Sequence, residues 1–183
     1  MRLLNKIELL RKRVQYGRNL KINGIISLHG HGTIIVGDNC IITSSAHYNP
    51  TDGSGKTHFW TQKDGKLVIG NNVGISNTCI TASAYVKIED NVLIGSGCML
   101  SDTDHHELVM EERGSGNVAH ASIIIGKGAF IGARCIILKG VKIGEGAVVG
   151  AGSVVVKDIP DREIWAGNPA RCIKKLATDR ETQ

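Results

Sequence analysis

Every sixth residue from position 125 is a branched aliphatic: Ile125, Ile131, Ile137, Ile143, Val149 and Val155. Four positions after each of the first five stands a small side chain or a valine: Ala129, Cys135, Val141, Ala147 and Ser153. A helix repeats its apolar positions about every 3.6 residues and a half-buried strand every 2, so a sustained period of six is neither on its own. It marks a repeat whose unit cannot bury its apolar face alone and must stack on its neighbours. The expected object is a coil of short strands and tight corners. The aliphatic points inward, the residue four later fills a narrower interior site, and glycine takes the corner where a positive φ is needed. Gly126, Gly132, Gly144 and Gly150, each directly after an aliphatic, are the expected corner residues.

Outside this stretch the pattern is looser. Residues 1–16 read as an amphipathic helix, with Leu3, Ile7, Leu10 and Val14 in one stripe broadened by Leu4 and Leu9. This stripe serves as a cap over the open end of the coil, as a foot on an anionic membrane, or as a partner surface. Asn5, Lys6 and Glu8 break the apolar run, which excludes a signal peptide or membrane span. The expected organisation is a basic helical segment over 1–20, a coil over 21–160 and a C-terminal tail over 161–183. Val36, Cys40, Ile42 and Ala46 fit the six-residue template, with Gly37-Asp38-Asn39 at a corner. Residues 47–66 and 101–122 lose all periodicity and are expected to be excursion loops, the first carrying His58, Phe59 and Trp60 near its middle. The register resumes at Ile69, Val73, Ile75 and Cys79, gains one residue around Tyr85–Lys87, and restarts at Ile88. Past Leu176 the chain is polar, and its end is expected to fray.

Composition agrees with a coil: 23 glycines accompany only seven aromatic residues. Four of the five cysteines, Cys40, Cys79, Cys98 and Cys135, fall at the small interior position, which reads as reduced core filling in a cytoplasmic protein. The net charge of +5 is localised. Residues 1–21 carry +6 and the remainder −1, so the main body offers no basic face for nucleic acid.

The candidate chemistry lies in the second loop, where Asp102-Thr103-Asp104 precedes His105 and His106. A histidine near neutrality takes a proton from a hydroxyl and hands it on, as acyl transfer to an alcohol requires. Asp102 and Asp104 could orient an imidazole or contact an acceptor. No metal is expected, because adjacent side chains on extended backbone point to opposite faces.

The strings IGNNVGISNTCI, SDTDHH, IIIGKGAFIGARCIILKGVKIGEGAVVGAGSVVVKDIP and IWAGNPARCIKKL together resemble the hexapeptide-repeat acetyltransferases, in the branch of sugar and polysaccharide O-acetyltransferases akin to galactoside and maltose acetyltransferases. The resemblance covers about residues 67–176. It implies an all-β, left-handed parallel β-helix, acetyl-CoA as cosubstrate, a sugar or polysaccharide-precursor acceptor, and a homotrimer with each site between two coils. Read as D-x-D-x-H, the family's catalytic base falls on His106; a gapless match to the galactoside and maltose enzymes puts it on His105. Asn77 matches an acceptor-facing asparagine, whereas an aspartate found near that acceptor site has no counterpart, since Ala82 and Ser83 stand there. Ala133 and Ala151 match positions whose backbone contacts the pantetheine arm, and Lys157, Arg171 and Lys174 match basic positions near the coenzyme phosphates. Val156 replaces a threonine there. Transfer to an amino group and a non-catalytic trimeric scaffold are the competing expectations.

Overall fold

The computed structural model describes residues 2–51 and 55–177; the expected frayed end from residue 178 lies outside them. The helix α1 (Leu3–Arg11) leads into six coils, each giving one strand to each of three sheets. The first coil holds β1 (Gln15–Tyr16), β2 (Lys21–Gly24) and β3 (Ser27–Gly30). The second holds β4 (Thr33–Val36), β5 (Ile41–Ser44) and β6 (His58–Thr61). In the third are β7 (Lys66–Ile69), β8 (Gly74–Ser76) and β9 (Cys79–Ala82), and in the fourth β10 (Tyr85–Ile88), β11 (Leu93–Ile94) and β12 (Met99–Ser101). The fifth has β13 (Ile123–Ile125), β14 (Phe130–Ile131) and β15 (Ile136–Ile137); the sixth has β16 (Lys142–Ile143), β17 (Val148–Val149) and β18 (Val154–Val155). Finally β19 (Glu163–Gly167) stacks parallel on β17, and β20 (Ala170–Lys175) returns antiparallel along it.

Like positions stack in register. Phe130 pairs with Val148 and Ile136 with Val154, eighteen residues apart, so the six-residue period is one side of a three-sided coil. Ile125, Ile131, Ile137, Ile143 and Val149 are completely buried, and the interior is one column of aliphatics with cysteine, alanine and threonine in the narrower sites. We call the sheet through β1 to β16 sheet A, that through β2 to β20 sheet B, and that through β3 to β18 sheet C.

The corners divide the work of glycine differently from the sequence expectation. Gly126, Gly132, Gly144 and Gly150 are not the left-handed residues. A Cβ on Gly132 would lie 2.6 Å from the Ala151 backbone nitrogen, and one on Gly126 would lie 2.8 Å from that of Glu145. These glycines let one coil approach the next. The positive φ falls two residues later, at Gly128 (67°), Gly146 (62°) and Gly152 (73°). In the earlier coils asparagine fills that role at the corner between sheets A and B: Asn19, Asn39, Asn72 and Asn91 all have φ between 56° and 61°. Their amides form a ladder, Asn19 donating to Asn39 at 2.9 Å, Asn39 to Asn72 at 3.3 Å and Asn72 to Asn91 at 3.1 Å. Asparagine tolerates the left-handed region better than other side-chain-bearing residues and can bond its stacked copy as well.

Other expectations are corrected. The helix stops at Arg11, because Arg13 turns with φ 51° and Gln15–Tyr16 already pair with β4. The loop over 47–66 is shorter than its composition indicates. Residues 58–61 form a coil strand with Phe59 in the core, while His58 and Trp60 face outward. Ala46 belongs to the loop and not to the interior. Cys79 is displaced from the interior by Thr78, since Asn77 (φ 43°) tightens its corner so that the inward residues Ile75 and Ile80 are only five apart. The C-terminal segment is a hairpin on sheet B, and its buried Trp165 covers the upper end of the coil.

Two substitutions separate the two kinds of glycine. Gly132→Ala forces apart stacked backbones and is expected to cost about 1–3 kcal/mol, whereas Gly128→Asn, at a left-handed position with open space around it, is expected to stay within about 0.5 kcal/mol of the parent. Chemical denaturation of the two variants checks the contrast.

Candidate active site

The second excursion leaves sheet C after Ser101 and re-enters the coil at Ile123. Asp102 roots it. Its carboxylate is fully buried, Oδ1 accepting from Ser83 N (2.7 Å) and Oδ2 from Ala84 N (2.8 Å) and Tyr85 N (2.9 Å). Those three amides belong to the overlong corner that adds a residue to the register, and the carboxylate satisfies them all. Asp102 is thus engaged by backbone and does not orient an imidazole. Asp104 forms an ion pair with Lys139 of the next coil at 2.8 Å, and its Oδ2 is buried with no partner among the described residues. Thr103 and His120 close the base of the loop as an antiparallel bridge.

Glu107, absent from the residues expected at the site, organises the loop interior. Its carboxylate accepts from Gly114 N (3.0 Å), Ser115 Oγ (3.0 Å) and Gly116 N (2.7 Å), closing a ring over the short 3-10 turn Met110–Glu112. The Gly114 amide above all, with the other donors, holds its carboxyl down at about 2. A Glu preceding a Gly-Ser-Gly turn by seven residues is the one trace that composition offers.

The two histidines separate. His105 sits at φ 63°, which turns its ring back over the outer face of sheet C. There it stacks on Trp60 (centroids 5.9 Å apart, planes at 28°) and its Nε2 lies 3.1 Å from Ser101 Oγ. Ser101 gives its single hydroxyl proton to the Thr103 carbonyl at 2.9 Å, so it accepts from His105 Nε2–H. That leaves Nδ1 as the ring nitrogen available to take a proton. His106 instead lines an open cavity of about 450 Å³ with Asp104, Glu107, Leu108 and Arg113.

The same outer face carries His29 stacked on His58 at 6.2 Å, and, in the second, fourth, fifth and sixth coils, Trp60, Met99, Leu138 and Val156, all partly exposed. At its edge with sheet B, Ala133 and Ala151 stack one coil apart, Gly152 N donating to Ala133 O at 2.8 Å. Both are partly exposed and small. Asn77 lies at the same corner one coil below the loop, but its amide is buried: Oδ1 accepts from Ser45 N (3.0 Å) while Nδ2 reaches Asn49 O (2.9 Å) and Ser96 Oγ (3.0 Å). It ties three coils together. Of the three cations, Arg171 pairs with Ala166 and Lys174 with Ile164 across the hairpin, placing both on the outward face of sheet B. Lys157 lies apart from them, 5.1 Å above the Trp165 ring. No cluster of three or more His, Cys, Asp or Glu suited to a metal occurs among the described residues.

A family model described as the hexapeptide repeat of succinyl-transferase matches residues 85–101 and 122–157. Galactoside O-acetyltransferase of Escherichia coli K12 is 37% identical over 132 residues, 67% of this chain and 63% of that protein. The chain belongs to the hexapeptide-repeat acetyltransferase family. Its coil is therefore the left-handed parallel β-helix of that family. A galactoside acetyltransferase solved with coenzyme A is 27% identical and superposes with a TM-score of 0.60 over 97% of this chain and 72% of that one. An N-acyltransferase from Bacillus cereus, solved with dTDP-4-amino-4,6-dideoxyglucose and coenzyme A, shares the fold at a TM-score of 0.71 and 22% identity, over 96% of this chain and 91% of that chain. This chain spans 63% of the length of the Escherichia coli galactoside O-acetyltransferase and 63% of that of a second relative, from Saccharomyces cerevisiae, to which it is 34% identical over 68% of its own length.

The Glu107 ring has a definite acid dependence. A carboxylate held below its ordinary value orders the loop above about pH 4.5, and that contribution is lost as pH falls through about 2. The amide resonances of Gly114 and Gly116 should titrate together with a midpoint near 2. The Glu107→Gln variant should lack this transition and exchange those amides faster at neutral pH.

Proposed function

We propose that this protein transfers an acetyl group from acetyl-CoA to a sugar hydroxyl, with His105 as general base. The observation that carries the assignment is the His105 ring itself: stacked on Trp60, bonded through Nε2 to Ser101, and with no hydrogen bond at Nδ1 among the described residues. A base oriented by a third group, with its lone pair facing open space, is what proton abstraction needs. His105 also shares the outer face of sheet C with the Ala133 and Ala151 corner, whereas His106 faces the separate cavity beside Asp104. The D-x-D-x-H reading favoured His106; the ring contacts support the gapless alternative.

The residues present fit the coenzyme. Ala133 and Ala151 leave backbone accessible along a flat edge, where an amide-bearing arm can lie close. Arg171 and Lys174 are exposed on one face, placed to make charge-assisted hydrogen bonds with phosphates. Bound acetyl-CoA supplies the activated acyl carbon. The protein's part is proton traffic and charge stabilisation. His105 Nδ1 takes the acceptor hydroxyl proton as the C–O bond forms, and backbone N–H groups stabilise the oxyanion. As the C–S bond breaks, the imidazolium returns its proton to the thiolate, giving an acetyl ester and free thiol. The five cysteines are unpaired thiols, Cys40, Cys98 and Cys135 deep in the coil, which fits a reducing cytoplasm and not an acyl-cysteine route. A flat outer face has one wall, and a second protomer of a homotrimer would supply the other. The branch resemblance makes a surface-polysaccharide precursor the acceptor of choice.

Thiol release from acetyl-CoA against free, nucleotide-linked and lipid-linked sugars, with aminosugars in the same panel, tests this reading. His105→Ala should lower kcat by about 10²–10⁴-fold with coenzyme binding retained, and His106→Ala should change it by less than about tenfold. The reverse pattern moves the base to His106. Release with aminosugars alone makes the protein an N-acyltransferase, and failure of the parent protein to bind acetyl-CoA removes the enzymatic reading.

A further inference from the structure

The N-terminal helix is mounted with its apolar face away from the protein. Asn5 and Leu9 are the residues of α1 that turn toward the coil and are buried. Asn5 pairs with backbone, Nδ2 donating to Gly24 O at 2.9 Å and Oδ1 accepting from Ile26 N at 3.2 Å. Lys12 Nζ reaches Gly30 O at 2.6 Å and fastens the end of the helix. At about 100° per residue, Leu3, Leu4, Ile7 and Leu10 share one arc of roughly 120° on the opposite side. They are 72%, 55%, 50% and 80% exposed. A groove of about 290 Å³ continues this surface, with Leu4 and Ile7 on one side and the partly exposed Ile25 on the other. Four large aliphatics presented together on a nine-residue helix, with a polar amide chosen for the inward side, are inverted relative to a helix that serves only as a cap.

Charge decides what covers them. Arg2, Lys6, Arg11 and Arg13 are exposed around the same helix, and residues 1–21 carry +6. A second copy brought face to face would set +6 against +6, and the body of another copy, net −1 over the remaining residues, has no matching excess of acid. An anionic lipid surface satisfies both features at once: acyl chains take the leucines and headgroups take the cations. No helix among the described residues is long and apolar enough to cross a membrane, so the contact is peripheral. We propose that α1 is an interfacial foot that docks this protein on an anionic membrane. This proposal stands apart from the acetyl-transfer reading and does not depend on it.

The test is co-sedimentation of the full chain with vesicles of phosphatidylcholine alone or with about one-third phosphatidylglycerol. Binding is expected with the anionic vesicles, weakening steeply between low and high salt. The variant Leu3→Ser/Ile7→Ser/Leu10→Ser should bind at least about tenfold more weakly, and Arg2→Gln/Lys6→Gln/Arg13→Gln should lose most of the preference for phosphatidylglycerol. The altered side chains are exposed, so an unchanged melting temperature confirms that each variant is folded. Absence of parent binding to anionic vesicles, or equal binding by the serine variant, overturns the proposal. A fall in oligomeric mass of the serine variant without change in lipid binding would assign the face to a second copy.

Discussion

Parallel strands lie about 4.8 Å apart, and in a three-sided coil the same spacing holds at the corners, where backbone meets backbone with no side chain between. Every other feature is subordinate to that contact. It demands glycine at 126 and 132, because a Cβ there would enter the peptide of the next coil. It brings left-handed residues into vertical register, so that Asn39, Asn72 and Asn91 bond one another instead of being solvated singly. It also keeps the interior narrow, which is why cysteine, alanine and threonine alternate with the branched aliphatics.

Where the chain leaves this pattern it is held by buried carboxylates. Asp102 gathers three amides at the corner that gains a residue, and Glu107 gathers its own loop around the Gly-Ser-Gly turn. A corner of irregular length exposes N–H groups that the stacked ladder cannot reach, and a carboxylate is the compact group able to accept several. The loop that presents His105 is therefore anchored at its root and braced within. The imidazole takes its direction from Ser101 on β12 and Trp60 on β6, two strands of the rigid wall below with β9 between them.

Much of this was legible in the residues. The six-residue period describes the coil from Ile123 onward because each step is identical in length and the interior tolerates one size of side chain. It fails at residues 58–61 because the inward pair is a phenylalanine and a threonine and the outward side carries a tryptophan, which reverses the expected order of apolar and polar positions. Cys79 was misplaced because the shortened corner at Asn77 is invisible to a fixed count. At α1 the spacing of Leu3, Ile7 and Leu10 identifies a stripe without saying which side meets the protein. The open end of a coil offers unpaired peptide groups, so an asparagine is the better inward residue. For the histidines, adjacency leaves the direction undecided; the left-handed backbone at His105 sends the two rings to different places.

The two ends of the coil carry a further consequence. A stack of parallel strands has no intrinsic length, and its last rung presents a ready template for another chain to add to. Here Asn5 and Lys12 occupy carbonyls on the first rung, while at the other end sheet B finishes in β20, a strand running the opposite way, over which a ladder of like polarity cannot continue. The number of coils is thus set by terminators and not by the repeat. A molecule built like a segment of filament is kept discrete by a few side chains at one end and a reversal of chain direction at the other.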